Sequence, residues 1–168
     1  MACKDAMVTE VISVKRDTTV SDILQIFYNN RIRNVPVLEE DGVLAGVISF
    51  RRLLAHLLPV PVKIGEDLKR FKHLSINLDH LAGQAPWVTR RLGDLLYKTA
   101  EDVMFENPEV VHPETTLREG IRKLYEFESP LPVVEEGTGK LCGLISSQSA
   151  IQALFEIRNE ILEEKNGK

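Results

Sequence analysis

The chain has little of what metal, redox or disulfide chemistry needs. Only Cys3 and Cys142 occur in 168 residues, far apart and without His or Cys neighbours at ligand spacing, so neither a disulfide framework nor a zinc site is indicated. Both read as plain thiols, with Cys142 in a buried strand. His73 and His80 have no third ligand at a recognisable spacing, and the HExxH and CxxC patterns are missing. They read as surface or cap histidines. Glycine-rich phosphate loops and dinucleotide fingerprints are absent too, and Gly46-Val47-Ile48-Ser49 does not complete the Gly-x-Ser-x-Gly of a nucleophile elbow. With no catalytic constellation, the chain reads as a non-enzyme. Apolar runs fall well short of the roughly 18 residues of a spanning helix, and the charged start Met1-Ala2-Cys3-Lys4-Asp5 lacks the apolar stretch of a signal peptide. A cytoplasmic chain without membrane insertion is expected. Positive charge is not in excess either, and a net charge of −4 argues against nucleic acid as the main partner.

What is present is a globular composition, 43% hydrophobic and 27% charged, which excludes a disordered chain. The length suits one domain or two small repeats sharing a core, and a repeat is visible. At an offset of 97 (residue 5 onto residue 102), Asp5-Ala6-Met7 lies over Asp102-Val103-Met104, Val14 over Val111, Thr18-Thr19-Val20 over Thr115-Thr116-Leu117, and Tyr28 over Tyr125. One deletion near Glu128 and one insertion in the Gly137-Thr138-Gly139 turn then bring two further stretches together. Val35-Pro36-Val37-Leu38 falls on Leu131-Pro132-Val133-Val134, and Leu44-Ala45-Gly46-Val47-Ile48-Ser49 on Leu141-Cys142-Gly143-Leu144-Ile145-Ser146.

Each copy predicts the same elements. A short β-rich segment around Ile12 to Val14, or Val110 to Val111, precedes a Thr-Thr pair. Thr19 with Asp22, like Thr116 with Glu119, has the spacing of a helix start. Val20, Ile23, Leu24 and Phe27, and in the second copy Leu117, Ile121, Leu124 and Tyr125, recur at three- and four-residue steps and predict an apolar helix face. Two β-runs follow, Val35 to Glu39 and Val43 to Ser49, joined through Glu40-Asp41-Gly42; Leu131 to Glu135 and Lys140 to Ser146 repeat them. A closing helix begins after Ser49 and after Ser146. The order is β-α-β-β-α, twice, an α/β (α+β) architecture.

The combined pattern, with Asp-x-Met at the start, Val-Pro-Val or Leu-Pro-Val-Val on the middle strand and Gly-x-Ile-Ser at the end of the last, resembles the cystathionine-β-synthase (CBS) domain, and two in tandem resemble a CBS pair, or Bateman module. On this resemblance residues 5–58 are the first repeat, 59–101 a helical insertion, 102–157 the second repeat and 158–168 a helix extension and tail. The resemblance implies two repeats packed about a pseudo-twofold axis, with clefts that take AMP, ADP, ATP or S-adenosylmethionine as a regulatory ligand rather than an obligatory cofactor. It also implies a homodimer acting on an effector protein. Candidate ligand-binding residues of the first copy are Ser13, Arg33, Asn34, Val35, Pro36, Ser49, Arg51 and Arg52. Those of the second are Val110, Ser129, Leu131, Pro132, Ser146 and Ser149.

Members of the family carry an Asp three residues after the strand-end hydroxyl, where it bonds ribose; Arg52 and Ser149 stand there instead. Arg51 and Arg52, in the first turn of a helix, suit an anion or phosphate, though they also fit a solvated helix face. The second copy offers hydroxyls and the Gln148 amide but no cation, which favours a neutral ligand or none. A ligand-independent scaffold that dimerises is the other reading. Between the copies, Pro59-Val60-Pro61 ends a helix, and Glu66 to Leu74 and Trp87 to Tyr97 look amphipathic. They fit a lid, a dimer contact or a docking surface, with Trp87 either anchoring an interface or packed in the core. Leu154, Ile157, Ile161 and Leu162 continue the last helix at helical steps and point to a helix–helix contact with a second subunit.

Overall fold

The structure, a computed structural model, describes residues 1–57, 85–127 and 130–166, with backbone only for 85–87 and 163–166. The expected helix from Glu66 to Leu74, the stop at Pro59-Val60-Pro61, His73, His80, Ser129 and the Trp87 side chain therefore lie outside the described residues.

The first repeat follows its sequence pattern. Strand β1 (Val14–Lys15) runs parallel to β2 (Asn34–Leu38), which pairs antiparallel with β3 (Leu44–Ser49). Between β1 and β2 lies helix α1 (Val20–Asn30), whose first turn is closed by Thr19, its hydroxyl accepting the Asp22 N–H at 3.2 Å. Val20, Ile23 and Phe27 face the sheet, fully buried. Helix α2 (Phe50–Leu57) follows β3 directly.

A helix from the second half of the expected insertion, and a short one across its boundary with the second repeat, complete this same core. Helices α3 (Ala85–Leu96) and α4 (Ala100–Val103) contribute Leu95, Ala100 and Val103 to the cluster built on Phe27, Val35 and Ile48. Of the apolar stripe expected on α3, Leu95 is buried and Leu96 half-buried, while Val88 and Leu92 are exposed.

The second repeat is a reduced copy. Helix α5 (Leu117–Phe127) starts with the Glu119 N–H bonded to the Thr116 hydroxyl at 3.3 Å, and β4 (Leu131–Val134) pairs antiparallel with β5 (Leu141–Ile145). The expected strand at Val110–Val111 is a single parallel bridge, Val111 to Val133. Helix α6 (Ser147–Asn166) is continuous through the expected extension. Two expectations need correction. Ile121 and Tyr125 do not lie on the buried face of α5: Leu117, Gly120 and Leu124 do, because the helix turns about 100° per residue and Gly120 leaves room for Cys3. Cys142 is half-buried on β5, and the deeply buried thiol is Cys3, whose pKa is pushed up by that burial.

The leading segments of the two repeats cross. Cys3 and Ala6 belong to the second repeat's core, and Val103 and Met104 to the first's. Val8 bridges Leu144, with paired hydrogen bonds of 2.8 and 2.9 Å; Phe105 bridges Val47 in the same way at 3.1 and 2.9 Å. Both crossings pass over a glycine. A β-carbon on Gly46 would stand 2.7 Å from the Phe105 carbonyl oxygen, and one on Gly143 would stand 2.6 Å from that of Val8, so the Gly-x-Ile-Ser motif is a backbone crossing point. Ion pairs of opposite polarity flank the crossings: Lys4 with Glu114, and Glu101 with Arg16, which also holds Glu39. At the far end, Val43 bridges Lys140 and joins the two hairpins.

Candidate functional site

A cleft of about 640 Å³ opens where the first leading segment leaves the second repeat. Four local features build it. Val8, Glu10, Val11 and Ile12 form one wall, on the strap anchored by the Val8–Leu144 bridge. Arg31, Ile32, Arg33 and Asn34 come from the α1–β2 corner, and Ser49, Phe50 and Arg51 from the β3–α2 junction. Pro130, Leu144 and Ser146 close it from the second repeat.

The corner and the junction are tied together. Asn34 is in register with Ser49, and the Phe50 N–H donates to the Arg33 carbonyl at 3.3 Å. The Phe50 ring rests on Phe27, centroids 4.8 Å apart, which fixes one apolar wall to the core. Helix α1 ends with Arg31 in the left-handed conformation, φ 54°, its N–H returning to the Phe27 carbonyl.

The walls are apolar and the charges basic. Arg31, Arg33 and Arg51 line the cleft beside a single lining carboxylate, Glu10, and none of the three takes part in an ion pair among the described residues. Guanidinium groups unmatched by protein carboxylates suit an anion, and the volume falls within the roughly 300–1,000 Å³ of small-molecule sites.

The expected site residues divide. Arg33, Asn34, Ser49, Arg51 and Ser146 meet in this cleft. Arg52 does not line it: its guanidinium stacks 5.5 Å from the Phe105 ring centroid, on the crossing segment of the second repeat. Val35 and Pro36 in β2, and Leu131 and Pro132 in β4, have buried side chains. Ser13 is exposed and does not line the cleft. The Val110 carbonyl accepts from Lys123 Nζ at 3.1 Å. Ser149 is engaged in a reciprocal cap with Ser146: each N–H donates to the other's hydroxyl, at 3.0 and 3.1 Å, and Ser149 Oγ donates to the Ser146 carbonyl at 3.2 Å. Ser49 Oγ likewise accepts the Arg52 N–H at 3.2 Å.

Sequence reasoning misses Arg31, the strap from Val8 to Ile12, and Phe50. Arg31-x-Arg33 beside Asn34 is a local signal for the first. The strap is invisible from spacing, because alignment of the copies does not say which sheet a leading segment joins.

Two sheet-and-helix units that exchange their leading segments around a shared cleft define a CBS pair. The CBS domain family model matches residues 3–59 and 100–156, and the chain belongs to that family. CBSX2, a chloroplastic CBS domain-containing protein of Arabidopsis thaliana, is 28% identical over 148 residues, which is 88% of this chain and 60% of CBSX2. The chain thus spans about three-fifths of that relative's length. An uncharacterised protein of Methanocaldococcus jannaschii, MJ1426, is 28% identical over 160 residues and 92% of both chains. The solved structure of CBSX2 in complex with AMP superposes with a TM-score of 0.66 at 25% identity, covering 94% of this chain and 98% of that one. The CBS pair of protein MJ0100, solved with 5-methylthioadenosine and S-adenosyl-L-methionine, shares the fold at a TM-score of 0.60 and 18% identity, covering 92% of this chain and 99% of that one.

Proposed function

We propose that the chain is a regulatory ligand-binding module that takes an adenosine nucleotide, or another metabolite with an apolar body and an anionic end, in the cleft of the first repeat. The observation that carries this reading is the set of three arginines, Arg31, Arg33 and Arg51, lining an apolar cleft of about 640 Å³. AMP in CBSX2 supports the ligand class. Val8, Val11, Ile12, Ile32 and Phe50 offer surface to a base, and the arginines to phosphate.

The strap supplies a route from occupancy to output. Its residues Val8, Glu10, Val11 and Ile12 touch the ligand space while Cys3 and Ala6 are embedded in the second repeat. A ligand that binds one strap position better shifts how the repeats sit on each other, and with them the surface offered to an effector protein. Paired exposed positions, Tyr28 and Leu54 in one repeat and Tyr125 and Ile151 in the other, fit contact with a second copy of the chain.

Isothermal titration of nucleotide-stripped protein with AMP, ADP, ATP and S-adenosylmethionine tests the reading. Arg51→Ala should weaken an anionic ligand by roughly tenfold to a hundredfold, the worth of one charge-assisted hydrogen-bonding group. A second reading, a ligand-independent scaffold that dimerises, is favoured by the hydroxyls of Ser49, Ser146 and Ser149, all engaged within the protein. Silence across the whole panel, with a dimer in sedimentation velocity, would favour it.

A further inference from the structure

Arg31 is the one non-glycine residue with positive φ among the described residues. It follows the last turn of α1, where the left-handed backbone suits glycine and crowds the β-carbon of any other residue. The Arg31 side chain has no ion pair or hydrogen bond among the described residues, it is exposed, and it lines the cleft. The same turn sends Ile32 against the first core and brings Arg33 into the cleft beside Arg31. Arg51 joins them from the β3–α2 junction, and Glu10 is the lone opposing carboxylate of the lining among the described residues. The second copy has no such set: in the sequence Gln148 stands in place of Arg51, and Ser129 in place of Arg33.

Three guanidiniums outweigh the charge of about −1.5 to −2 on a single terminal phosphate, and a phosphate chain supplies both further charge and further oxygens to match them. Resting on the nucleotide-binding reading of this cleft, we infer that Arg31, with Arg33 and Arg51, selects nucleoside di- and triphosphates over monophosphates. Arg31 is the specificity-determining member, and it occupies a backbone position that glycine would fill with less strain.

The test is titration of the full chain with AMP, ADP and ATP in chelator-containing buffer at fixed salt, on the wild type, Arg31→Gly and Arg51→Gln, with the ligand-free unfolding midpoint of each. The expected result is ATP bound at least about tenfold tighter than AMP by the wild type. Arg31→Gly should bring that ratio close to one while its unfolding midpoint stays equal or rises, and Arg51→Gln should lower the ratio as well. Equal wild-type affinity for all three nucleotides overturns the polyphosphate selection while leaving nucleotide binding in place. An undiminished ratio in Arg31→Gly overturns the assignment to Arg31. Absence of binding by any of the three overturns both this inference and the reading beneath it.

Discussion

Replacing Gly46 by alanine puts a methyl carbon 2.7 Å from the Phe105 carbonyl oxygen and 2.9 Å from the Met104 sulfur. The sulfur sits on a flexible side chain, but the carbonyl belongs to a backbone held by two hydrogen bonds to Val47, at 3.1 and 2.9 Å. Relief requires the segment to lift. Two hydrogen bonds contribute about 0.5–1.5 kcal/mol each, and overpacking costs about 1–3 kcal/mol. Loss of glycine freedom in the unfolded chain returns about 0.4–1 kcal/mol. The net is a destabilisation of roughly 1–5 kcal/mol, a large part of the 5–15 kcal/mol typical of a domain. In urea, with a slope of about 2 kcal/mol per molar, the midpoint should fall by roughly 0.5–2.5 M. Circular dichroism through the transition measures it, and an unchanged or raised midpoint refutes the close crossing.

Gly143→Ala makes the argument sharper, since its methyl meets the Val8 carbonyl at 2.6 Å and the Met7 sulfur at 3.1 Å. Its stability cost should be similar. Val8 lines the cleft and Phe105 does not, so Gly143→Ala should weaken nucleotide binding more than Gly46→Ala at equal destabilisation. Equal binding losses in the two variants would separate the strap from the ligand.

Ile151→Glu places a charge on one of the paired exposed patches and should convert a dimer to a monomer in sedimentation velocity; a wild type already monomeric at high concentration would refute the homodimer. Acid should destabilise the chain in a defined direction. Arg16 holds the Glu39 carboxyl below its ordinary 4.5, and hydrogen bonds from the Thr99 N–H and hydroxyl hold Asp102 below its ordinary 3.8. Because both folded-state pKa values are depressed, their contribution is present above the unfolded values and is lost as pH falls through the folded ones. Thermal midpoints should decline below about pH 4.5, and less steeply in Glu39→Gln and Asp102→Asn; curves parallel to wild type would count against both carboxylates.

Where the sequence pattern is local, it carries the fold. Thr19-x-x-Asp22 and Thr116-x-x-Glu119 mark helix starts that the structure closes at those residues, and the two Gly-x-Ile-Ser strands fall within a residue or two of their expected limits. Non-local facts are less legible. Ile121 and Tyr125 satisfy helical spacing yet face outward, because the pattern fixes a stripe but not the sheet it meets. Arg52 sits one residue from Arg51, and 100° of helix rotation separates a cleft-lining cation from one stacked on Phe105. Ser146 and Ser149 have the three-residue spacing of a helix cap, a signal that favours their mutual bonding over ligand contact.

The crossed leading segments mean that each repeat completes its core with residues from the other. A polypeptide ending at Leu57 would hold a sheet whose Gly46 groove lacks Met104 and Phe105, together with a leading segment whose own seat, around Gly143 and Leu144, is missing. The nearest substitute for both deficits is another molecule of the same half, each lending the other its first eight residues. Duplication followed by fusion of such an exchanged dimer would yield the present topology without rerouting any strand, and afterwards the two copies could diverge in charge, as Arg51 and Gln148 have, while each remained dependent on the other for its core.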